Sequence, residues 1–340
     1  MDIKDRLAAK ENEGKFSPVS PMLLRPWSQG SFAVYLSQGD QYVLYTNKGG
    51  AYTEKHRQAL AEMDVDMVHV PRDQLKNYEA YLLENLGDIL TDESIPLSVR
   101  GQAWFEASMA TARSVFEEKL PRKLFKVRFS HIRRLVRDSV AFFDSPGALH
   151  NVTRLVSKGY KGYHHSMGTM VLNFFVLRGF GEMDQDGLTQ ASLGALLHDV
   201  GKVDLPEELL TKKPESLSRS EEEQFRTHPS RGVGMCIGLP LDIMAQHCIL
   251  FHHEQENGEG YPAGLAGDAI PLPVKTLSVC NVYDALTRPA PWRPAYSPYE
   301  ALQKLSRRKS RFHGESLRRL ILLLAKAEII EPERLDEKHG

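Results

Sequence analysis

The sequence predicts a mainly α-helical protein, a small α+β unit followed by a helical bundle. Three observations carry this. Beyond residue 95, apolar residues recur at helix-compatible spacing in one segment after another. Ahead of that point, short strand-like runs are separated by turn residues. Seven of the 13 histidines fall between His164 and His253, several of them where an apolar helical run stops. The expected divisions are residues 1–94 for the α+β unit, 95–158 for connecting helices and 159–330 for the bundle. At 340 residues the chain can bury a core in both parts.

Composition excludes several classes. Lys and Arg total 43 against 44 Asp and Glu, a formal charge of −1. That balance gives no overall field to draw the chain to a nucleic-acid polymer or a membrane surface. No apolar run approaches the ~20 residues of a membrane span. The charged start Met1-Asp-Ile-Lys-Asp-Arg does not read as a signal peptide. Cys236, Cys248 and Cys280 form no C-x-x-C pair, and three unpatterned cysteines fit a reducing cytoplasm.

In chain order, Ser31–Leu36 and Gln41–Tyr45 read as strands joined by the turn Gln38-Gly39-Asp40. Thr53 opens a helix with Leu60 and Met63 on its apolar side, and His56 and His69 read as surface or edge residues. Asp66–Val70 is a further strand. Pro71 begins a longer helix through Tyr78, Tyr81, Leu82 and Leu86. Pro96 opens a helix carrying Ala103, Phe105 and Val115. Pro121 opens another with Leu124, Phe125, Val127, Ile132 and Leu135, which stops at Asp144-Ser-Pro146-Gly147. Long connectors of this kind commonly serve homodimer contacts, although an apolar stripe is more often plain core. Ser218-Arg-Ser-Glu221 is a capping-box signature ahead of His228.

The chemistry gathers in the last part. His198-Asp199 follows the apolar run Leu188–Leu197 and precedes Gly201, a helix C-terminus by pattern. A lone His-Asp pair there would read as capping. Here His164-His165 lies upstream, and His228 and then His252-His253-Glu254 lie downstream. The last group closes another apolar run, Ile243–Phe251. Helix ends carrying imidazole and carboxylate can converge on one point in a bundle. That donor set suits Fe, Mn or Zn acting on an oxygen-rich substrate, and the spacing fits no zinc finger.

Taken together, His198-Asp199-Val-Gly-Lys202, His228-Pro229, His252-His253-Glu254, Gly258-Glu-Gly260-Tyr261-Pro262-Ala-Gly264-Leu265 and Asn281-Val-Tyr-Asp284 resemble the HD-GYP family. This is a branch of the HD-domain metal-dependent phosphohydrolases, and the likeness runs over about residues 160–320. It implies a helical HD-domain bundle. The activity implied is hydrolysis of cyclic di-GMP to the linear dinucleotide or onward to GMP, in bacterial second-messenger signalling. Two transition-metal ions are implied, Fe or Mn ahead of Zn. His165, His198, Asp199, His228, His252 and His253 would hold them, with Asn281 at the place of a family Asp ligand. By the same resemblance Asp199 would bridge the ions and Lys202 would meet phosphate as a point charge. Gly260, Tyr261, Pro262 and Arg293 would contact substrate. The loop around Tyr261 would offer a contact to a diguanylate cyclase, and residues 1–94 would be a regulatory, sensor-like domain.

The chain departs from the family pattern at three positions. Asn281 lacks the charge of the family Asp. Lys161 stands where trinuclear members have Glu, which argues against a third metal. Ala290 replaces an Arg expected to grip phosphate, while Arg293 keeps a second cation. Two readings follow: a metal-dependent cyclic di-GMP phosphodiesterase slowed by Asn281 and Ala290, or a degenerate HD-GYP domain that binds nucleotide or protein with little turnover. A phosphohydrolase for another nucleotide is a third.

Overall fold

A computed structural model describes residues 14–39, 41–116, 122–156 and 162–330. Asp40 of the expected turn, the helix-opening Pro121 and Lys161 fall outside the described residues. By its contacts the chain divides into two compact units, Met1–Ala107 and Ser108–Gly340.

In the first unit β1 (Phe16–Val19), β2 (Val34–Gln38), β3 (Gln41–Thr46) and β4 (Val68–Pro71) form one antiparallel sheet in the order β1-β4-β2-β3. β2 and β3 are the expected hairpin, with Leu36 opposite Val43. β1 is a strand that the sequence pattern does not announce, because Pro18 sits in it. β1 is an edge strand, where a missing N–H donor is tolerated. Val68 and Val70 are buried and alternate with half-buried His69 and Pro71, so one face of β4 turns inward.

Helix α1 (Glu54–Glu62) begins at a capping box. The Thr53 N–H donates to His56 Nδ1 at 3.1 Å, and the His56 N–H donates to the Thr53 hydroxyl at 3.4 Å. His56 is therefore a cap and not a plain surface residue. Met63, expected in the core, is 53% exposed because the helix has already ended. The long helix expected from Pro71 is broken. A 3₁₀ turn, Arg72–Gln74, leads into α2 (Leu75–Glu84), and α3 (Leu86–Thr91) follows. Asn85 stands at the break, where its side-chain amide donates to the Tyr81 carbonyl at 2.8 Å and competes with the helix ladder.

Helix α4 (Leu97–Phe116) contains the division between the units. The second unit continues with α5 (Arg122–Phe143), α6 (Ala148–Val156), α7 (Gly162–Phe180), α8 (Gln185–Leu197) and α9 (Glu207–Thr211). It ends with α10 (Arg219–Phe225), α11 (His228–Met235), α12 (Ile243–Phe251), α13 (Leu272–Thr287), α14 (Pro298–Ser306) and α15 (Gly314–Lys326). α7 is buried almost all round between Ser166 and Leu177 and acts as the central post. Leu172 and Val176 of α7 share a core with Val279 and Tyr283 of α13, Leu302 and Leu305 of α14, and Leu320 and Leu324 of α15. Val127, expected in the core, is 59% exposed on α5.

The caps fix where the helices stop and start. The Asp184 carboxylate accepts the Gly187 N–H at the start of α8, and the Asp242 carboxylate accepts the Ala245 N–H at the start of α12, both at 2.8 Å. Ser218 and Glu221 form the expected capping box on α10. With both ends set, α8 and α12 deliver His198-Asp199 and His252-His253 at their C-termini, while α11 opens on His228.

Candidate metal centre

Three histidines share one local arrangement. Nδ1–H of His198 donates to the Ala195 carbonyl at 2.7 Å, that of His228 to the Phe225 carbonyl at 2.8 Å, and that of His252 to the Ile249 carbonyl at 2.9 Å. Each acceptor lies three residues back, among carbonyls that a helix end leaves unpaired. A carbonyl can only accept, so Nδ1 carries the proton and Nε2 presents a lone pair. All three rings are buried, and Asp199 lies between them. Its Oδ1 is 3.4 Å from His228 Nε2 and 3.6 Å from His252 Nε2, and its Oδ2 is 3.4 Å from His198 Nε2.

These atoms fit a metal better than they fit one another. His228 Nε2 and His252 Nε2 face each other at 3.2 Å, lone pair toward lone pair unless a cation or proton lies between. His198 Nε2, Asp199 Oδ1 and His253 Nε2 are buried without any hydrogen-bond partner. Leaving such atoms unpaired costs about 1–3 kcal/mol each, and a cation would satisfy them together. Two ligand groups emerge, Asp199 with His228, His252 and His253, and Asp199 with His165 and His198. Within each group the donor atoms lie within 4.8 Å of one another. Asp199 belongs to both, with one oxygen toward each side. Gly201 lets the 3₁₀ turn Val200–Asp204 press on α11, since a side chain there would collide with the His228 carbonyl.

The second group extends to α13. His165 Nε2 is 2.9 Å from Asn281 Oδ1 and 3.9 Å from Asp199 Oδ2. Its Nδ1 meets Asp284 Oδ2 at 2.7 Å. Asp284 is clamped by Arg288, whose Nε donates to Oδ2 at 2.5 Å and whose Nη2 donates to Oδ1 at 2.8 Å. Asp284 thus orients His165 from behind, and Asn281 presents its carbonyl oxygen to the site. His164 lies against the Tyr163 ring instead.

Burial pushes the His252 imidazole down from 6.5 to about 3, helped by the neighbouring His198 and His228. Burial does the same to His253, together with His252 and His228. Both rings stay neutral, the form that binds metal. Burial alone would raise the Asp199 carboxyl, but Lys202 and His198 outweigh it and hold the group well below its ordinary range. Lys202 Nζ donates to Asp199 Oδ2 at 2.6 Å while its side chain stays part-exposed. Burial likewise opposes ionisation of Asp284, and Arg288 overcomes it.

The loop after His253 is tied to the same segment. The buried Glu254 carboxylate accepts the Ala263 N–H at 2.7 Å and the Leu265 N–H at 2.9 Å. Gly260 lies so close to His253 and Glu254 that no side chain fits. The Tyr261 ring stacks on His253 at 4.6 Å and carries the Arg226 guanidinium 4.9 Å from its centroid. Tyr261 and Gly260 therefore hold a ligand histidine, and Pro262 is exposed beyond them.

His252 and His253 line a cleft of about 770 Å³. Lys213, Arg293, Lys304, Arg307, Arg308 and Arg311 line it too, with Glu215 as the one acidic lining residue. Arg293, expected as a cation for phosphate, gives its Nη2 to the Ala285 carbonyl and its Nη1 to the Leu286, Arg288 and Pro294 carbonyls. Its hydrogen bonds close the end of α13.

All six expected ligands and Asn281 are therefore brought together, and Lys202 joins them through Asp199. The sequence reading passed over Arg288, although Asp284 and Arg288 stand at the i,i+4 spacing of a helical ion pair. It also passed over Glu254 as the staple of the loop and over the run Lys304…Arg307-Arg308…Arg311, which looked like ordinary closing-helix surface.

Residues 180–315 match the family model of the HD domain. The chain is 30% identical over 194 residues to a cyclic di-GMP phosphodiesterase of Pseudomonas aeruginosa, across 56% of this chain and 46% of that protein. It is 31% identical over 148 residues to a 3'3'-cGAMP-specific phosphodiesterase of Vibrio cholerae, across 43% of this chain and 28% of that protein. The chain thus spans less than half the length of these curated relatives. A solved HDG"Y"P protein from Bdellovibrio bacteriovorus shares the fold, with a TM-score of 0.63 at 21% identity over 91% of this chain and 99% of that one. Among the described residues no helix is long and apolar enough to cross a membrane.

Proposed function

The chain carries an HD domain and belongs to the HD-GYP family, and from that premise we propose that it is a metal-dependent phosphodiesterase of cyclic dinucleotides, with cyclic di-GMP as substrate. The observation that carries this reading is a set of buried, unpartnered nitrogen and carboxylate donors that adjoins a cationic cleft. His228, His252 and His253 on one side of Asp199, and His165, His198 and Asn281 on the other, would hold two transition-metal ions, Fe or Mn ahead of Zn. Bound there, the metals supply a water of lowered pKa and a Lewis acid for the phosphodiester.

The chain's own residues do the rest. Helix-end carbonyls fix three imidazoles in the metal-binding tautomer, and burial keeps His252 and His253 unprotonated. Lys202 places a positive charge beside Asp199 and is exposed enough to meet a phosphate oxygen. The Glu254 staple and the Tyr261 stack hold His253 in place. Cyclic di-GMP and 3'3'-cGAMP, named for the two relatives, share two phosphodiesters in one ring, so a cationic cleft suits either. A cytoplasmic site of action goes with such a second messenger.

A second reading, a binding domain with little turnover, is favoured by Asn281. Its amide oxygen can coordinate but brings no negative charge to balance the cations. The test is anaerobic purification, reconstitution with Fe, Mn or Zn, and chromatographic product analysis with cyclic di-GMP and 3'3'-cGAMP in parallel. Appearance of a linear dinucleotide or mononucleotide supports the phosphodiesterase. Tight binding without product from either substrate supports the binding domain.

A further inference from the structure

Resting on the phosphodiesterase reading, this inference concerns the second phosphate. A cyclic dinucleotide brings two phosphates, and the metal centre can act on one at a time. The Arg expected to grip phosphate is Ala290 here, and the donors of Arg293 go to backbone carbonyls at the end of α13. We propose that Arg307 and Arg308, at the end of α14, hold the non-scissile phosphate, with Lys304 and Arg311 beside them.

Four observations support this. The four cations line the same cleft as His252 and His253. Arg307 and Arg308 are exposed, and neither has an ion pair among the described residues. Arg311 reaches only Glu259, at 3.8 Å, and Lys304 lies 4.3 Å from the Tyr296 ring centroid. Trp292, 37% exposed, lines the cleft as well and offers a face for a base.

The alternative is that these cations merely offset the dipole at the C-terminus of α14. That account covers Arg307, which caps the helix. It leaves Arg308 and Arg311 beyond the helix without a reason, and Lys213, from a different segment, on the same cleft. Like charges gathered around one cavity repel, and an anion relieves the repulsion. The planar guanidinium fork also matches a phosphate better than an ammonium does.

The test compares wild type, Arg307→Glu/Arg308→Glu and Arg307→Lys/Arg308→Lys on the metal-loaded full chain. Two substrates are used, cyclic di-GMP and bis(p-nitrophenyl) phosphate, which has a single phosphate. A phosphorothioate analogue of cyclic di-GMP gives affinity by calorimetry, independently of turnover. The charge reversal is expected to raise KM for cyclic di-GMP and Kd for the analogue by about tenfold or more. Its effect on kcat should be several-fold smaller, and its effect on the small diester at least about tenfold smaller. The Lys pair should recover most of the KM. If wild type binds or cleaves cyclic di-GMP while the reversal leaves KM and Kd unmoved, the inference falls and the phosphodiesterase stands. Equal losses on both diesters overturn it too, since the arginines would then act through the fold. If wild type neither binds nor cleaves any cyclic dinucleotide, both readings fall.

Discussion

In the sheet unit a buried polar atom without a hydrogen bond stands alone. The Tyr52 and Tyr78 hydroxyls and His69 Nδ1 belong to separate elements, the start of α1, α2 and β4. Elsewhere in that unit polar groups are paired within it: Tyr81 Oη accepts the Arg25 N–H at 2.7 Å, and Arg25 meets Asp92 at 2.5 Å. In the helical unit His198 Nε2, Asp199 Oδ1 and His253 Nε2 all fall inside two overlapping ligand groups. An isolated unpaired atom is a local cost that packing absorbs. Unpaired atoms that gather around one carboxylate mark a place where something binds.

The largest way to break this contrast is to remove the carboxylate. Asp199→Ala or His198→Ala is expected to reduce the metal content of reconstituted protein by at least about tenfold, with helical circular dichroism retained. Elemental analysis decides it, and unchanged metal in both variants would show that the convergent atoms are not the ligands.

Restoring charge should sharpen it. Asn281→Asp adds the missing negative charge 2.9 Å from His165 Nε2 and should raise metal affinity and turnover. Ala290→Arg should add a charge-assisted phosphate contact worth about 1.5–3 kcal/mol, roughly tenfold to a hundredfold in rate. Steady-state kinetics on the two single variants checks both. A wild type that already matches the Asp variant would mean Asn281 is not a needed ligand.

Acid should separate the two units in the metal-free protein. His252 falls from 6.5 to about 3 in the fold, so the unfolded chain binds the extra proton between those values. Stability is whole above pH 6.5 and falls as pH drops below it, by at most about 1.4 kcal/mol per pH unit for this one group. In the sheet unit, hydrogen bonds from Ser94 and Arg25 bring the Asp92 carboxyl down from 3.8 to about 2. Its contribution holds above pH 3.8 and is lost as pH falls toward 2. Hydrogen exchange at pH 7, 5.5 and 4.5 should therefore show the helical unit losing protection first. Simultaneous loss in both units would contradict the contrast.

The smallest effect should come from removing the sheet unit's strands. A fragment starting near Pro96 keeps all of α4 and every ligand, and it is expected to load the same metal as the full chain within about twofold. A soluble, helical fragment that binds none would show that the first unit supports the metal centre.

Much of this contrast was legible in the sequence. His198-Asp199 and His252-His253 each close an apolar run, and that alone places four ligands at helix ends. Local chemistry also gave the Ser218–Glu221 cap. The failures have physical causes. Pro18 hides an edge strand, because a breaker by propensity is harmless where no partner needs its N–H. Asn85 splits a helix through a side-chain bond that competes with the backbone. Arg293 looked like a phosphate cation because its charge is visible in sequence, while the four carbonyls that take its hydrogens are not. The cationic cleft stayed unseen because Lys213 and Arg307 lie far apart in the chain and meet only when the bundle forms.

The most direct test of the central claim is a single-turnover measurement on anaerobic, metal-reconstituted protein, with cyclic di-GMP below enzyme concentration and Asp199→Ala alongside. The expected result is conversion to linear dinucleotide or GMP by wild type, abolished by a chelator and absent in Asp199→Ala. No product from wild type with any of Fe, Mn or Zn bound, or equal product from Asp199→Ala, would contradict it.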